Sequence, residues 1–305
     1  MCFILIPSFV MPVYADYTCK VCNKEHECNG VEKLIIEITE GAATLDFLKE
    51  DEGTNLSLVE ILKFDTSGNK VFNALWNGSG GTTSVKSVVD GLIPAGVIIA
   101  TVFFLLEVGE RVFTANYTAE QLALSFVRYG LVLLIATNVF TIITLVNQLA
   151  TLVFDLLYKQ AQTNAVKGVC CYNIVADLNV FELVGHVLGV LFNYVIVLLC
   201  RILITMTAWK RAFEIIVYSM FAPVGIADIV RGGLDSSGVR YLKKVGAKFL
   251  QGGVCLAIII GYNIIVPVIL KNPSGSSGII TLILALSVTT LMFQADSISS
   301  SIVGV

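Results

Sequence analysis

The sequence predicts an all-α fold, a polytopic membrane helical bundle of about five spans plus one re-entrant or broken segment, behind a small exported N-terminal domain. Three observations carry this expectation. Only 14% of the 305 residues are charged and 56% are hydrophobic, whereas an ordinary soluble domain carries about 25% charged residues. Mean hydropathy is +0.82. Several apolar runs reach the roughly 20 residues that a helix needs to cross about 30 Å of hydrocarbon.

The elements follow in chain order. Residues 1–15, MCFILIPSFVMPVYA, read as a signal peptide: the apolar run is short for a span, and Val13-Tyr14-Ala15 resembles a small-residue cleavage site. An uncleaved anchor is the alternative, because no basic residue precedes the run. Residues 16–90 read as a small exported domain and linker. They hold 7 Lys/Arg against 13 Asp/Glu, an excess of six acids, while 91–305 hold 13 against 10. Helical apolar spacing appears at Leu34, Ile35, Ile38, Leu45 and Leu48, and LSLVEILKF reads as a second short helix. NGSGGTTS (77–84) reads as a linker, since no Lys follows its glycines as a phosphate loop requires.

The transmembrane domain occupies 91–305, with expected spans near 92–111, 122–155, 179–208, 249–270 and 278–298. A shorter apolar segment, 212–230, holds Glu214, Pro223, Gly225 and Asp228. Backbone broken at membrane depth is tolerated only where protein or water covers it. If Asp16 starts outside, the third span brings Arg201, Lys210 and Arg211 to the cytoplasm. The following loop, 231–248, carries Arg231, Arg240, Lys243, Lys244 and Lys248 against Asp235 alone. The positive-inside rule places that basic loop in the cytoplasm as well. Segment 212–230 would then re-enter rather than cross, the alternative being six full spans.

Eight cysteines are present. Cys2 lies in the signal region. Cys19, Cys22 and Cys28 share the exported stretch with Cys170 and Cys171 of an external loop, so disulfides between these groups are the expectation, with connectivity open. A zinc site using His26 is the rival, on a single C-x2-C that is a weak metal signal. Cys200 and Cys255 read as packing residues within spans. Glu182 and His186 are i,i+4 and share a helix face, as a metal pair or as a hydrogen-bonded pair at the interface. Without a second ligand pair, no metal centre and no cofactor are expected. Asn138, Asn147, Gln148 and Asn193 read as residues that join helices or face a polar path.

Charges at membrane depth are costly, and normally pair or line a cavity. Arg201, Arg211, Glu214, Pro223 and Asp228 are therefore the gating, partner or conduit candidates. Arg211 and Glu214, i,i+3, are an expected ion pair; the structural alternative is an interfacial pair with Trp209 and Lys210 as anchors. No nucleophile triad, paired carboxylate site, Walker motif or dinucleotide fingerprint is present, so no catalysis is expected.

The stretch Trp209 to Tyr262 reads WKRAFEIIVYSMFAPVGIADIVRGGLDSSGVRYLKKVGAKFLQGGVCLAIIIGY. It resembles the TrbL-type inner-membrane channel subunit of conjugative type IV secretion systems. The resemblance is carried by Arg211, Glu214, the Ala222-Pro223 pair, Gly233, Arg240, Tyr241, Lys244, Phe249 and Gln251. LLEVGERVFTANYTAEQLALSFVRYGLVLLIATN (105–138) is similar to that family's first two spans. The resemblance covers roughly residues 90–270, and the acidic N-terminal region departs from it. It implies a non-catalytic channel or scaffold subunit in a bacterial cytoplasmic (inner) membrane. Implied partners are other secretion-channel subunits, the traffic ATPase, further copies of the chain, and relaxase-bound single-stranded DNA in transit. The basic stretch is expected to meet anionic lipid, a partner or the DNA backbone. A small-molecule or ion transporter with Arg201, Glu214 and Asp228 at a midplane site is the alternative, and a membrane enzyme using Glu182 and His186 the weaker one.

Overall fold

A computed structural model describes residues 15–18, 25–28, 57–78, 83–113, 118–163, 180–270 and 277–305. The helices are α1 (Leu58–Lys63), α2 (Lys70–Asn77), α3 (Val85–Phe113), α4 (Ala119–Thr137) and α5 (Val139–Thr163). Then come α6 (Val180–Met220), α7 (Ala222–Gly225), α8 (Ile229–Gly232), a 3₁₀ turn at Gly233–Asp235, α9 (Ser237–Leu270) and α10 (Ser277–Val303). Five helices are long and apolar enough to cross a membrane: α3, α4, Val139–Gln160, Ser237–Tyr262 and Leu282–Val303. This is the helical, multi-pass membrane character that the composition predicts. The all-α expectation needs one amendment. Strands β1 (Ala15–Thr18) and β2 (Glu25–Cys28) pair antiparallel, with Tyr17 opposite His26.

The chain divides into two compact units. One comprises Met1–Asp46, Ala165–Ile202 and Gly261–Ser287; the other comprises Phe47–Asn164, Leu203–Ile260 and Val288–Val305. The second unit holds nearly all the described side-chain contacts. In it α4 packs on α3: Thr101 and Tyr129 share a 2.8 Å hydrogen bond, and Phe104 stacks on Tyr129. Ala227 and Val230 close a core with Ala100, Phe104 and Val132.

Four expected boundaries move. The domain edge at 90/91 falls inside α3, and residues 57–77 belong to the compact unit that contains the bundle helices. The expected span 122–155 divides at Asn138. There Asn138, at φ -108° and ψ 12°, leaves the helical conformation, although its N–H donates to Leu134 and its carbonyl accepts from Ile142. The expected span 179–208 continues unbroken to Met220, so Lys210 and Arg211 lie on the same helix as Arg201. The expected basic loop 231–248 is mostly helix, because α9 begins at Ser237.

The break expected in 212–230 is present, at Phe221. Pro223 sits in the first turn of α7, where its missing N–H costs nothing but cannot extend α6. The helix pair Leu198–Met220 and Ala222–Arg231 is bent by 61°. Gly96 lets α3 lie against this bend: a Cβ there would stand 2.4 Å from the Pro223 carbonyl oxygen.

Candidate functional site

The site is built where α6 and α9 cross the pair α1–α2. Local sequence explains that pair. Ser57 and Glu60 form a capping box at the start of α1. Phe64 ends it in the left-handed region at φ 49°. The Asp65 carboxylate then accepts the Ser67 and Gly68 N–H groups, and Asn69 caps α2 by accepting from Val71 and Phe72. The result is a tight helical hairpin with Ile61, Leu62, Phe64, Phe72 and Trp76 buried.

Arg211 meets the end of α1. Its Nη1 donates to the Leu62 carbonyl at 2.6 Å, one of the last carbonyls of α1, which has no partner within the helix. Its Nε and Nη2 donate to the Lys248 and Phe249 carbonyls of α9, both at 2.9 Å. The residue is 2% exposed. Gly252 makes room: a Cβ there would lie 2.3 Å from the Leu62 carbonyl oxygen and 2.6 Å from Arg211 Nη2. The expected Arg211–Glu214 pair is not formed. Glu214 instead pairs with Lys248 at 2.6 Å and with Lys210 at 3.9 Å.

Lys248, placed by sequence in a solvated loop, is 3% exposed and bridges Glu214 and Asp296, each at 2.6 Å. Lys248 is thus compensated by two carboxylates, and Arg211 by backbone carbonyls alone. Gln251, one turn on, has a buried Oε1 without a partner. Aromatic rings complete the site. Trp76 is 1% exposed; its ring lies 5.6 Å from Phe140 and 6.3 Å from Phe249, and its Nε1 donates to Thr144 at 3.1 Å. Asn147, read as a helix-joining residue, donates to Thr66 at 2.7 Å. Lys63 pairs with Asp155 at 2.9 Å and Asp65 at 3.4 Å.

The remaining candidates lie elsewhere. The Asp228 carboxylate accepts from the backbone N–H and hydroxyl of Ser237, holding the first residue of α9. Pro223 is buried at the bend. Arg231 reaches Glu110 at 3.3 Å. Arg240, Lys243 and Lys244 are exposed on the first turns of α9, with the Lys244 ammonium 5.4 Å from the Tyr218 ring centroid. Arg201 is exposed on α6. Cys200 and Cys255 are buried free thiols, as packing residues should be. Cys19, Cys22, Cys170 and Cys171, and the 1–14 part of the signal segment, lie outside the described residues, as do the side chains of Cys28, Glu182, His186 and Asn193. Among the described residues no group of three or more His, Cys, Asp or Glu is placed to hold a metal.

The sequence reading missed two features. One is the hairpin under Arg211. The other is Glu107, buried at 4%, which pairs with Arg111 at 2.6 Å and accepts from Ser125 at 3.4 Å, with its Oε2 left without a partner. Glu107 and Arg111, i,i+4, carried a visible signal; the hairpin's docking carried none. No protein-family model, curated protein or solved structure matches the chain.

Proposed function

We propose that this chain is a non-catalytic channel or scaffold subunit of a type IV secretion apparatus that transfers DNA by conjugation, set in a bacterial cytoplasmic membrane. The observation that carries the reading is the bent segment Leu198–Met220 with Ala222–Arg231, held at Arg211 by the Leu62, Lys248 and Phe249 carbonyls and at Glu214 by Lys248. Its residues are the ones through which 209–262 resembles the TrbL-type subunit. Broad apolar faces support a role in a larger assembly. Ile98, Val102, Leu105 and Leu106 on α3 are exposed, as are Leu145, Leu149, Leu152 and Leu156 on α5. Such faces need lipid or neighbouring subunits. Partners on this reading are other channel subunits, the traffic ATPase and further copies of the chain, with relaxase-bound single-stranded DNA as the cargo.

Deleting the gene should abolish conjugative transfer while relaxase nicking of its DNA persists; normal transfer from the deletion strain would refute the reading. The rival is an ion or small-molecule transporter. It has less support, because Glu214 and Asp228 are engaged in separate contacts with Lys248 and Ser237. Solute flux through liposomes containing the purified chain alone would favour it.

A further inference from the structure

We infer that residues 57–77 form a strap, locked onto the bundle by Arg211, on the same side of the membrane as the basic first turns of α9. The inference does not depend on the secretion reading. On α6 and α9 the strap touches one level at both ends, while on α5 its contacts run from Phe140 to Asp155. At its start, the Leu62 carbonyl takes the Arg211 guanidinium. At its end, Trp76 lies against Phe249. Arg211 also holds the Lys248 and Phe249 carbonyls, so Leu62, Trp76, Arg211 and Lys248 share a depth. A segment held there is not a separate domain across about 30 Å of hydrocarbon.

Sidedness then follows from charge. Lys210 adjoins Arg211 on α6, and Arg240, Lys243 and Lys244 lie within two or three turns of Lys248 on α9. These residues favour the cytoplasm. The strap goes with them, which reverses the expectation that 57–77 is exported.

The lock has a stated chemistry. An isolated six-residue helix such as α1 is marginal in water, and its C-terminal carbonyls attract a cation. Arg211 supplies that cation from 149 residues away. Lys63 with Asp155 and Thr66 with Asn147 fasten the hairpin to α5. Beneath it lies a face made of Phe140, Thr144, Asn147 and Phe249. Releasing the strap would expose this face.

Two measurements on the full-length chain in native membranes test this. Single cysteines replacing exposed Lys70 and Lys243 are labelled with a charged, impermeant maleimide, in intact cells and in everted vesicles, against the parent chain as background. Both should label in everted vesicles; labelling of the two from opposite sides overturns the inference. In the second, a Thr66→Cys, Asn147→Cys pair is treated with a short bis-thiosulfonate cross-linker, and the linked peptide is quantified by mass spectrometry. It should form readily, and Arg211→Ala should cut its yield several-fold. No linked peptide in a chain whose Lys70 site labels normally refutes the docking; an unchanged yield in Arg211→Ala refutes the lock.

Discussion

A guanidinium has five N–H donors and cannot shed its charge, so burying one requires acceptors on several sides. Arg211 finds them in three backbone carbonyls, and none is a side chain that sequence spacing could reveal. Its helical spacing to Glu214 was legible; its true partners were not, because every residue type carries the same carbonyl. Arg211→Ala should cost about 3 kcal/mol, the scale of losing hydrogen bonds to a buried charge, read as a lower midpoint of thermal unfolding in detergent. Lys248 gives a sharper contrast. Lys248→Met removes the cation that Glu214 and Asp296 share, and because both carboxylates keep water contact it should cost about 1 kcal/mol. Glu214→Gln should cost less, since Asp296 still pairs with Lys248. Composition alone placed Lys248 on the surface, because lysine is seldom buried unless paired, and the pairing was made by residues 34 and 48 positions away.

The strap's ion pairs set a pH window. Burial alone would lower the pKa of Lys63, but Asp155 and Asp65 outweigh it and hold the ammonium above its ordinary 10.5. Burial alone would raise that of Asp65, but the Gly68 and Ser67 N–H groups and Lys63 outweigh it and hold the carboxyl below its ordinary 3.8. A raised lysine stabilises fully below its unfolded value and loses that contribution as pH rises through the folded one; a depressed carboxylate does so above its unfolded value and loses it as pH falls. Strap docking should therefore be insensitive to these two groups between about pH 5 and pH 9, weakening only beyond 10.5 and below 3.8. Trp76 emission in a Trp209→Phe background reports the docking, and Asp65→Asn should remove the contribution that Asp65 makes to the acid limb.

At the scale of elements, close approach decides the geometry. Gly96 and Gly252 sit where a Cβ would strike backbone carbonyls of Pro223 and Leu62, atoms that cannot rotate away. Gly96→Ala should push α3 off the bend, and Gly252→Ala should lift α1 off α9. Each should lower the unfolding midpoint, while Gly246→Ala, with open space around it, should not. Asp228→Ala removes a hydrogen bond at the start of α9 and should cost about 1 kcal/mol, as helix caps do. The helices themselves were legible, because apolar length is a local property. The break at Phe221 was legible for the same reason, since Pro223 acts on its own turn. The continuity of α6 through Lys210 and Arg211 was not. Both lie past the expected end of the span, and the carbonyls that bury Arg211 belong to α1 and α9, distant in sequence. The Ala15–Thr18 strand escaped notice because four residues are too few for an alternating pattern to stand out.

At the scale of the molecule, the basic face outlives the correction of its backbone. Arg240, Lys243 and Lys244 remain exposed, now ordered along a helix, and each basic residue near an anionic surface contributes about 1 kcal/mol. Lys243→Gln with Lys244→Gln should therefore weaken retention of anionic lipid roughly 30-fold, measured by native mass spectrometry of the purified chain. Equal retention would assign that face to another partner. The membrane character came directly from composition; the packing of 57–77 on α5 and α9 did not, because acidic composition describes a segment's own solubility and not what it packs against. Asn138 joins α4 to α5: its N–H bonds back to Leu134 and its carbonyl accepts from Ile142. The strap grips α5 at Phe140, Thr144 and Asn147, while the bent segment rests on α4 at Val132. Asn138 therefore stands between the helix face that the strap grips and the helix face on which the bent segment rests.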